Sequence, residues 1–142
     1  MVEQLEVTTQ DVIAVAEFRS ALRHFLRRSE KIARQSGLTP QRYTLLMMIK
    51  GATDGSEQST VTELADRLQL AQSTVTELVR RAESAGLIER EQSQRDARVA
   101  HLRLTGEGER RLMLSFTELD AERAQLRDAF ANLDGGVTGT SN

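Results

Sequence analysis

Cysteine is absent from the 142 residues, which excludes disulfides, zinc knuckles, iron–sulfur clusters, thiol nucleophiles and cysteine-based redox sensing. A chain without thiols suits a reducing compartment. Histidine occurs only at His24 and His101, which leaves few catalytic options and few metal ligands. No nucleophile–base pairing and no phosphate-cradling glycine loop accompanies them. The chain is therefore expected not to be an enzyme, and neither a cofactor nor a metal is expected. Long apolar runs are missing too. None is longer than the five residues of Leu45-Leu46-Met47-Met48-Ile49, far short of the roughly 18 residues of a membrane span, so no membrane partner is expected. The opening Met1-Val2-Glu3-Gln4-Leu5-Glu6 is acidic and lacks the basic and apolar regions of a signal peptide, which makes a cytoplasmic protein the expectation.

What is present points to a globular chain: 39% hydrophobic and 28% charged residues, within the range of one domain or a domain with an extension. The net charge is −2 and the pI about 5.8, whereas nucleic-acid-binding domains are usually basic. The distribution matters more than the sum. Arg19, Arg23, Arg27, Arg28, Lys31 and Arg34 face only Glu30 within their stretch, and Arg80, Arg81, Arg90, Arg95, Arg98, Arg103, Arg110 and Arg111 form a second rich zone. Acid gathers near both ends, which suits a protein that touches an anion with one part only.

A single proline, Pro40, and a dominance of alanine, leucine, arginine, glutamate and glutamine predict a mostly helical chain. The first helix is expected over Thr9 to Gln35, with Val15, Phe18, Leu22, Phe25, Ser29 and Ile32 along one face and Ser36-Gly37 as its stop. A second helix begins at Thr39-Pro40, threonine capping and proline at the first helical position. It is apolar almost all round, hence buried, and ends at Gly51. Ala52 to Ser59 reads as a polar loop.

Thr60-Val61-Thr62-Glu63 reads as a capping box, followed by Val61, Leu64, Ala65 and Leu68 on one face. After a break at Gln69-Leu70-Ala71, a further helix covers about Gln72 to Ala85, with Val75, Leu78, Val79 and Ala82 inward. Two short amphipathic helices joined by a tight turn make a helix-turn-helix. The outer face of the second offers Gln72, Ser73, Thr74, Thr76 and Glu77, then Arg80 and Arg81. Short hydrogen-bonding side chains suit base edges in a major groove, and the arginines suit phosphates; an ordinary solvated face has the same composition. Leu87 to Glu91 reads as a strand, Gln92 to Ala97 as a polar loop, and Val99 to Leu104 as a second strand with Ala100, Leu102 and Leu104 on one face. Such a hairpin, with Arg95 and Arg98 near its tip, is a wing whose arginines suit a minor groove. Asp96 either pairs with Arg98 or simply shapes the turn.

Thr105 is expected to cap the last helical region. There Leu112, Phe116, Leu119, Leu126, Phe130 and Leu133 form a seam, either core or interface, with a break possible near Leu119-Asp120. The expected fold class is mostly α with a small β-hairpin wing: a winged helix-turn-helix at 37–104, an N-terminal helical region at 1–36, C-terminal helix or helices at 105–134 and a flexible tail at 135–142.

Leu38-Thr39-Pro40-Gln41, the helix-turn-helix with Ser73-Thr74-Val75-Thr76, Gly86-Leu87-Ile88-Glu89-Arg90 and above all Asp96-x-Arg98-x-x-x-Leu102-x-Leu104-Thr105-x-x-Gly108 resemble the MarR family of bacterial transcription regulators. The resemblance covers about Thr39 to Gly108 and, loosely, the first helix. It implies a homodimer joined through its terminal helices, with Val15, Phe18, Leu22, Phe25, Phe116, Leu119, Leu126 and Phe130 as interface residues. It also implies a recognition helix at Gln72 to Arg81 in the major groove of double-stranded DNA, and Arg98, oriented by Asp96, in the minor groove. Many members of the family repress nearby genes and release DNA when a small aromatic or phenolic effector binds. The stretch from Thr105 to Leu133 is shorter than the two C-terminal helices usual in that family, which shifts the expected dimer interface toward the first helix. Absent cysteine excludes the thiol-sensing branch. The function expected is a ligand-responsive repressor binding a pseudo-palindromic operator; the alternative is a winged-helix module for protein contacts alone.

Overall fold

The computed structural model describes residues 6–135, so the expected tail at 135–142 lies outside the described residues except for Gly135, which is the last residue of the final helix. Its helices are α1 (Thr9–Gln35), α2 (Pro40–Lys50), α3 (Val61–Leu68), α4 (Gln72–Ser84), α5 (Gly106–Thr117) and α6 (Asp120–Gly135), and its strands β1 (Gln58–Ser59), β2 (Ile88–Gln92) and β3 (Ala100–Leu104). Among the described residues, no helix is long and apolar enough to cross a membrane.

The chain divides into two compact units, one of residues 30–117 and one of residues up to 29 together with 118 onward. In the first, α2 starts as its sequence dictates: the Thr39 hydroxyl accepts from the Arg42 amide at 3.2 Å, and Pro40 opens the helix where no amide partner is lost. Leu45, Leu46 and Ile49 are wholly buried, so α2 forms the centre of this unit. The capping box of α3 is closed in both directions, Glu63 amide to Thr60 hydroxyl at 3.2 Å and Thr60 amide to Glu63 carboxylate at 3.1 Å. The α3 helix ends on Gln69 in the left-handed conformation, φ 54°, which turns the chain sharply into α4. On α4, Val75, Val79 and Ala82 are fully buried and Leu78 nearly so. The larger of these side chains contribute about 1.5–3 kcal/mol each on burial, which locks the rotation of the helix and so decides which residues face outward.

The sheet has the order β1-β3-β2 and is antiparallel throughout. Ile88 pairs with Leu104 and Gln92 with Ala100, while Leu102 and Leu104 are buried and Arg103 is exposed, as the alternation predicts. The polar loop expected at 52–59 needs correction. Gln58 and Ser59 form a strand against Arg103 and Leu102, because β3 would otherwise present a row of unpaired backbone groups.

In the second unit, α6 and residues 9–28 of α1 are less buried. The Phe18 and Phe130 rings meet edge to face at 5.9 Å, a favoured aromatic geometry, and Arg28 lies 3.4 Å from Glu122. The C-terminal region holds two helices, of 12 and 16 residues; its shortness has not removed either.

Candidate functional site

The exposed face of α4 is the first half of the site. Gln72, Ser73, Thr74 and Thr76 are all exposed over the buried row Val75, Leu78, Val79. No side chain caps the helix at Ala71, so its first amides face outward at the positive end of the helix dipole. One turn further, Glu77 gathers two arginines. Its carboxylate accepts from Arg80 Nε at 3.0 Å and Nη2 at 2.5 Å, and from Arg81 Nε at 3.1 Å. Spacings of three and four residues bring such side chains together on a helix. The Arg80 guanidinium, helped by that of Arg81, holds the Glu77 carboxyl down to about 2. Arg80 and Arg81, the arginines expected to reach phosphates, are thus both engaged by Glu77.

The wing is the second half. Between β2 and β3 the Ser93 hydroxyl accepts from the amides of Arg95 at 3.2 Å and Asp96 at 3.4 Å, and the Ser93 amide donates to the Val99 carbonyl at 2.9 Å. Asp96 Oδ1 accepts from the Arg98 amide at 3.0 Å and from Arg98 Nε at 3.4 Å. The two roles open for Asp96 in the sequence are therefore both present, a turn and an ion pair. Arg98 remains 92% exposed, and Arg95 has no ion-pair partner among the described residues. The structure thus carries a polar, hydrogen-bonding helix face and an arginine-tipped hairpin in one compact unit.

Sequence reasoning missed three residues here. Glu83 on α4 accepts from Arg90 on β2 at 2.7 Å, tying wing to helix. Ser93 shapes the wing tip. Thr62, in the first turn of α3, has its hydroxyl 3.5 Å from Gln72 Nε2. Opposite charges seven residues apart would have flagged only the first, and only once the strand was known to return along α4.

The expected interface residues divide. Val15, Phe116 and Phe130 are 48%, 39% and 57% exposed, and Phe18, Leu22, Phe25 and Leu126 are half-buried. Leu119 is a correction: it is 0% exposed within its own chain, so its side chain has no surface left for a partner. Seam spacing marks both core and interface positions and did not distinguish them.

A model of the MarR family matches residues 36–99. No curated protein matches the sequence. Among solved structures, the fold is similar to a mutant MarR from E. coli complexed with operator DNA, at 19% identity and a TM-score of 0.67, over 84% of this chain and 86% of that one. It is also similar to a mutant of MepR from S. aureus bound to an oligodeoxyribonucleotide, at 22% identity and a TM-score of 0.64, over 94% of this chain and 98% of that one. A transcriptional regulator from Thermotoga maritima is 26% identical with a TM-score of 0.60, over 82% of this chain and 88% of that one.

Proposed function

Because a model of the MarR family matches residues 36–99 and the fold is similar to that of MarR itself, we propose that this protein is a transcription regulator, not an enzyme, that binds double-stranded DNA in a sequence-dependent way as a homodimer. The observation that carries this reading is the pairing, within one unit, of the exposed polar face of α4 with the Arg95–Arg98 wing tip. Such a helix fits a major groove of about 12 Å width, and the short side chains of Ser73, Thr74 and Thr76 let its backbone approach base edges. Arg80 and Arg81 reach for phosphates, and Arg98, aimed by Asp96, enters the adjacent minor groove.

A two-fold dimer presents two such helices to one side of the duplex, so the operator is an inverted repeat with centres about 10 bp apart. The apolar residues left exposed on α1, among them Val12, Ile13, Val15 and Leu26, supply the dimer contact together with α6. Bound at a promoter, the dimer occludes it and acts as a repressor in the cytoplasm.

Release by an effector fits a cleft of about 290 Å³ lined by Pro40, Thr44, Leu68, Leu70 and Leu78, at the lower end of ligand-pocket volumes of about 300–1,000 Å³. Leu70 lies in the turn before α4 and Leu78 on its inner face, so an occupant presses on the recognition helix. The charged residue on the lining is Glu30, which favours a neutral phenol over a phenolate.

Selection of sites from a random duplex pool, followed by salt titration, tests the proposal. Enriched inverted repeats and an affinity that falls steeply with salt, as released counterions require, are expected. A negligible, salt-independent response with every sequence would refute DNA binding and favour a module for protein contacts alone.

A further inference from the structure

Glu77 sits where its charge is least expected, a carboxylate on the helix face that meets a polyanion. It lies on the same stripe as Ser73 and Thr76, 44% exposed, and draws Arg80 and Arg81 onto itself. A carboxylate and a phosphate are rival acceptors for one guanidinium, and both take it through the same parallel hydrogen bonds. When Arg80 turns to a phosphate it must first leave Glu77. A carboxylate stripped of both arginines beside the DNA backbone is left unpaired and repelled. Only a hydrogen-bond donor on a base edge compensates for that, and among base edges in the major groove the cytosine amino group suits a carboxylate.

We propose that Glu77 acts as an internal stand-in for a DNA phosphate, holding Arg80 and Arg81 back on arbitrary DNA and releasing them where a C·G pair offers its carboxylate the cytosine N4 amino group. The proposal rests on the reading of α4 as the recognition helix. It makes Glu77 a specificity residue in two senses: it weakens binding to the wrong sequence and rewards one base pair. Arginines that were simply free would bind any phosphate, and a basic face of that kind gives affinity without selectivity.

The test uses the full chain in fluorescence anisotropy titrations at fixed salt, with a random-sequence duplex and with a site from the selected pool. The variants are Glu77→Gln, Arg80→Ala and the double variant. Glutamine keeps the size and a hydrogen-bonding oxygen but releases the arginines. Glu77→Gln is expected to bind random duplex about three- to tenfold tighter, in keeping with two surface ion pairs. Its preference for the selected site should fall about tenfold, the loss centred on one C·G pair in each half-site. In the Arg80→Ala background the gain on random duplex should shrink to a fraction of that, because the main guanidinium held by Glu77 is gone; a cycle of this kind isolates the coupling. An equal gain in both backgrounds would reduce Glu77 to a repulsive charge and overturn the proposal, as would no gain at all. Selected sites lacking C·G beneath the helix would overturn the release step. If the wild-type chain binds neither duplex even at low salt, the reading of α4 fails, and the proposal with it.

Discussion

The backbone of Gly108 rests against the carbonyl of Leu87, so close that a methyl group at position 108 would overlap the oxygen. Around this contact Thr105 works three ways. Its amide donates to the Leu87 carbonyl at 3.0 Å, its hydroxyl donates to the Gly86 carbonyl at 2.6 Å, and the same oxygen accepts from the Gly108 amide at 3.1 Å. The start of α5 is thereby pinned to the root of β2, and the hairpin leaves the helical body at a fixed angle. This is the physical content of the Leu102-x-Leu104-Thr105-x-x-Gly108 pattern.

Gly108→Ala should therefore destabilise the protein by about 1–3 kcal/mol, the usual cost of overpacking, because the obstacle is backbone and cannot rotate away. Thr105→Val should cost about 0.5–2 kcal/mol through the lost cap. Urea denaturation of both variants checks this. A Gly108→Ala protein as stable as wild type would mean that the contact relaxes freely.

Local rules made much of this fold legible. The bounds of α1, the Thr60–Glu63 capping box, the buried row of α4 and the alternation of β3 each depend on residues within a few positions of one another. What was not legible depends on distant partners. Gln58 and Ser59 carry no strand pattern and become a strand only because β3 lies beside them. Lys50 finds Glu109, 59 residues away, at 2.5 Å, and no periodicity announces that. The site shows the same division. The exposed face of α4 is readable from spacing, and so are the two roles open to Asp96, without a choice between them. The engagement of both arginines by one glutamate was not, since composition gives the charges without saying which geometry wins.

Acid should test the carboxylates clamped on helices. Glu107 accepts from Arg110 and Arg111, and the Arg110 guanidinium foremost holds its carboxyl down to about 2, below the ordinary 4.5. The folded value is the lower one, so the pair stabilises above the unfolded value near 4.5 and loses that contribution as pH falls through about 2. Carbon-13 NMR of the Glu107 carboxyl is expected to show a midpoint near 2 in the native protein, moving toward 4.5 in the double variant Arg110→Gln and Arg111→Gln. A wild-type midpoint near 4.5 would show that the arginines are not engaged in solution.

The dimer proposal predicts a split between exposed and intrachain positions. Val15→Glu places a charge on the exposed apolar face of α1 and should shift sedimentation toward the monomer at micromolar concentration while changing thermal stability only through the lost assembly. Phe130→Ala removes the edge-to-face contact with Phe18 and should cost stability within each chain as well, by about 0.5–1.5 kcal/mol for the aromatic pair. A wild-type chain that sediments as a monomer would remove the dimer, and with it the expected operator symmetry.

The wing offers a prediction decided by sign. Asp96 is an acid beside a predicted phosphate backbone, so simple electrostatics says that deleting its charge should tighten DNA binding. The structure argues the opposite. Asp96 Oδ1 accepts from the Arg98 amide and also from the Arg98 guanidinium. Asparagine retains an oxygen for the amide, and it suits such turns equally well, so Asp96→Asn should leave the loop and the thermal midpoint unchanged. What it removes is the charge that holds Arg98 in one direction. An aimed arginine loses less conformational freedom on entering a narrow groove than one that must first be ordered. Asp96→Asn is thus expected to weaken binding, while Arg98→Ala weakens it further and most strongly at sites with A·T-rich flanks, whose narrow minor groove attracts arginine. Asp96→Ala, which also loses the turn, should be worse than Asp96→Asn. Binding titrations at fixed salt, with melting curves alongside, make the comparison. Tighter binding by Asp96→Asn would show that Asp96 only shapes the loop, and unchanged binding by Arg98→Ala would take the wing out of DNA recognition altogether.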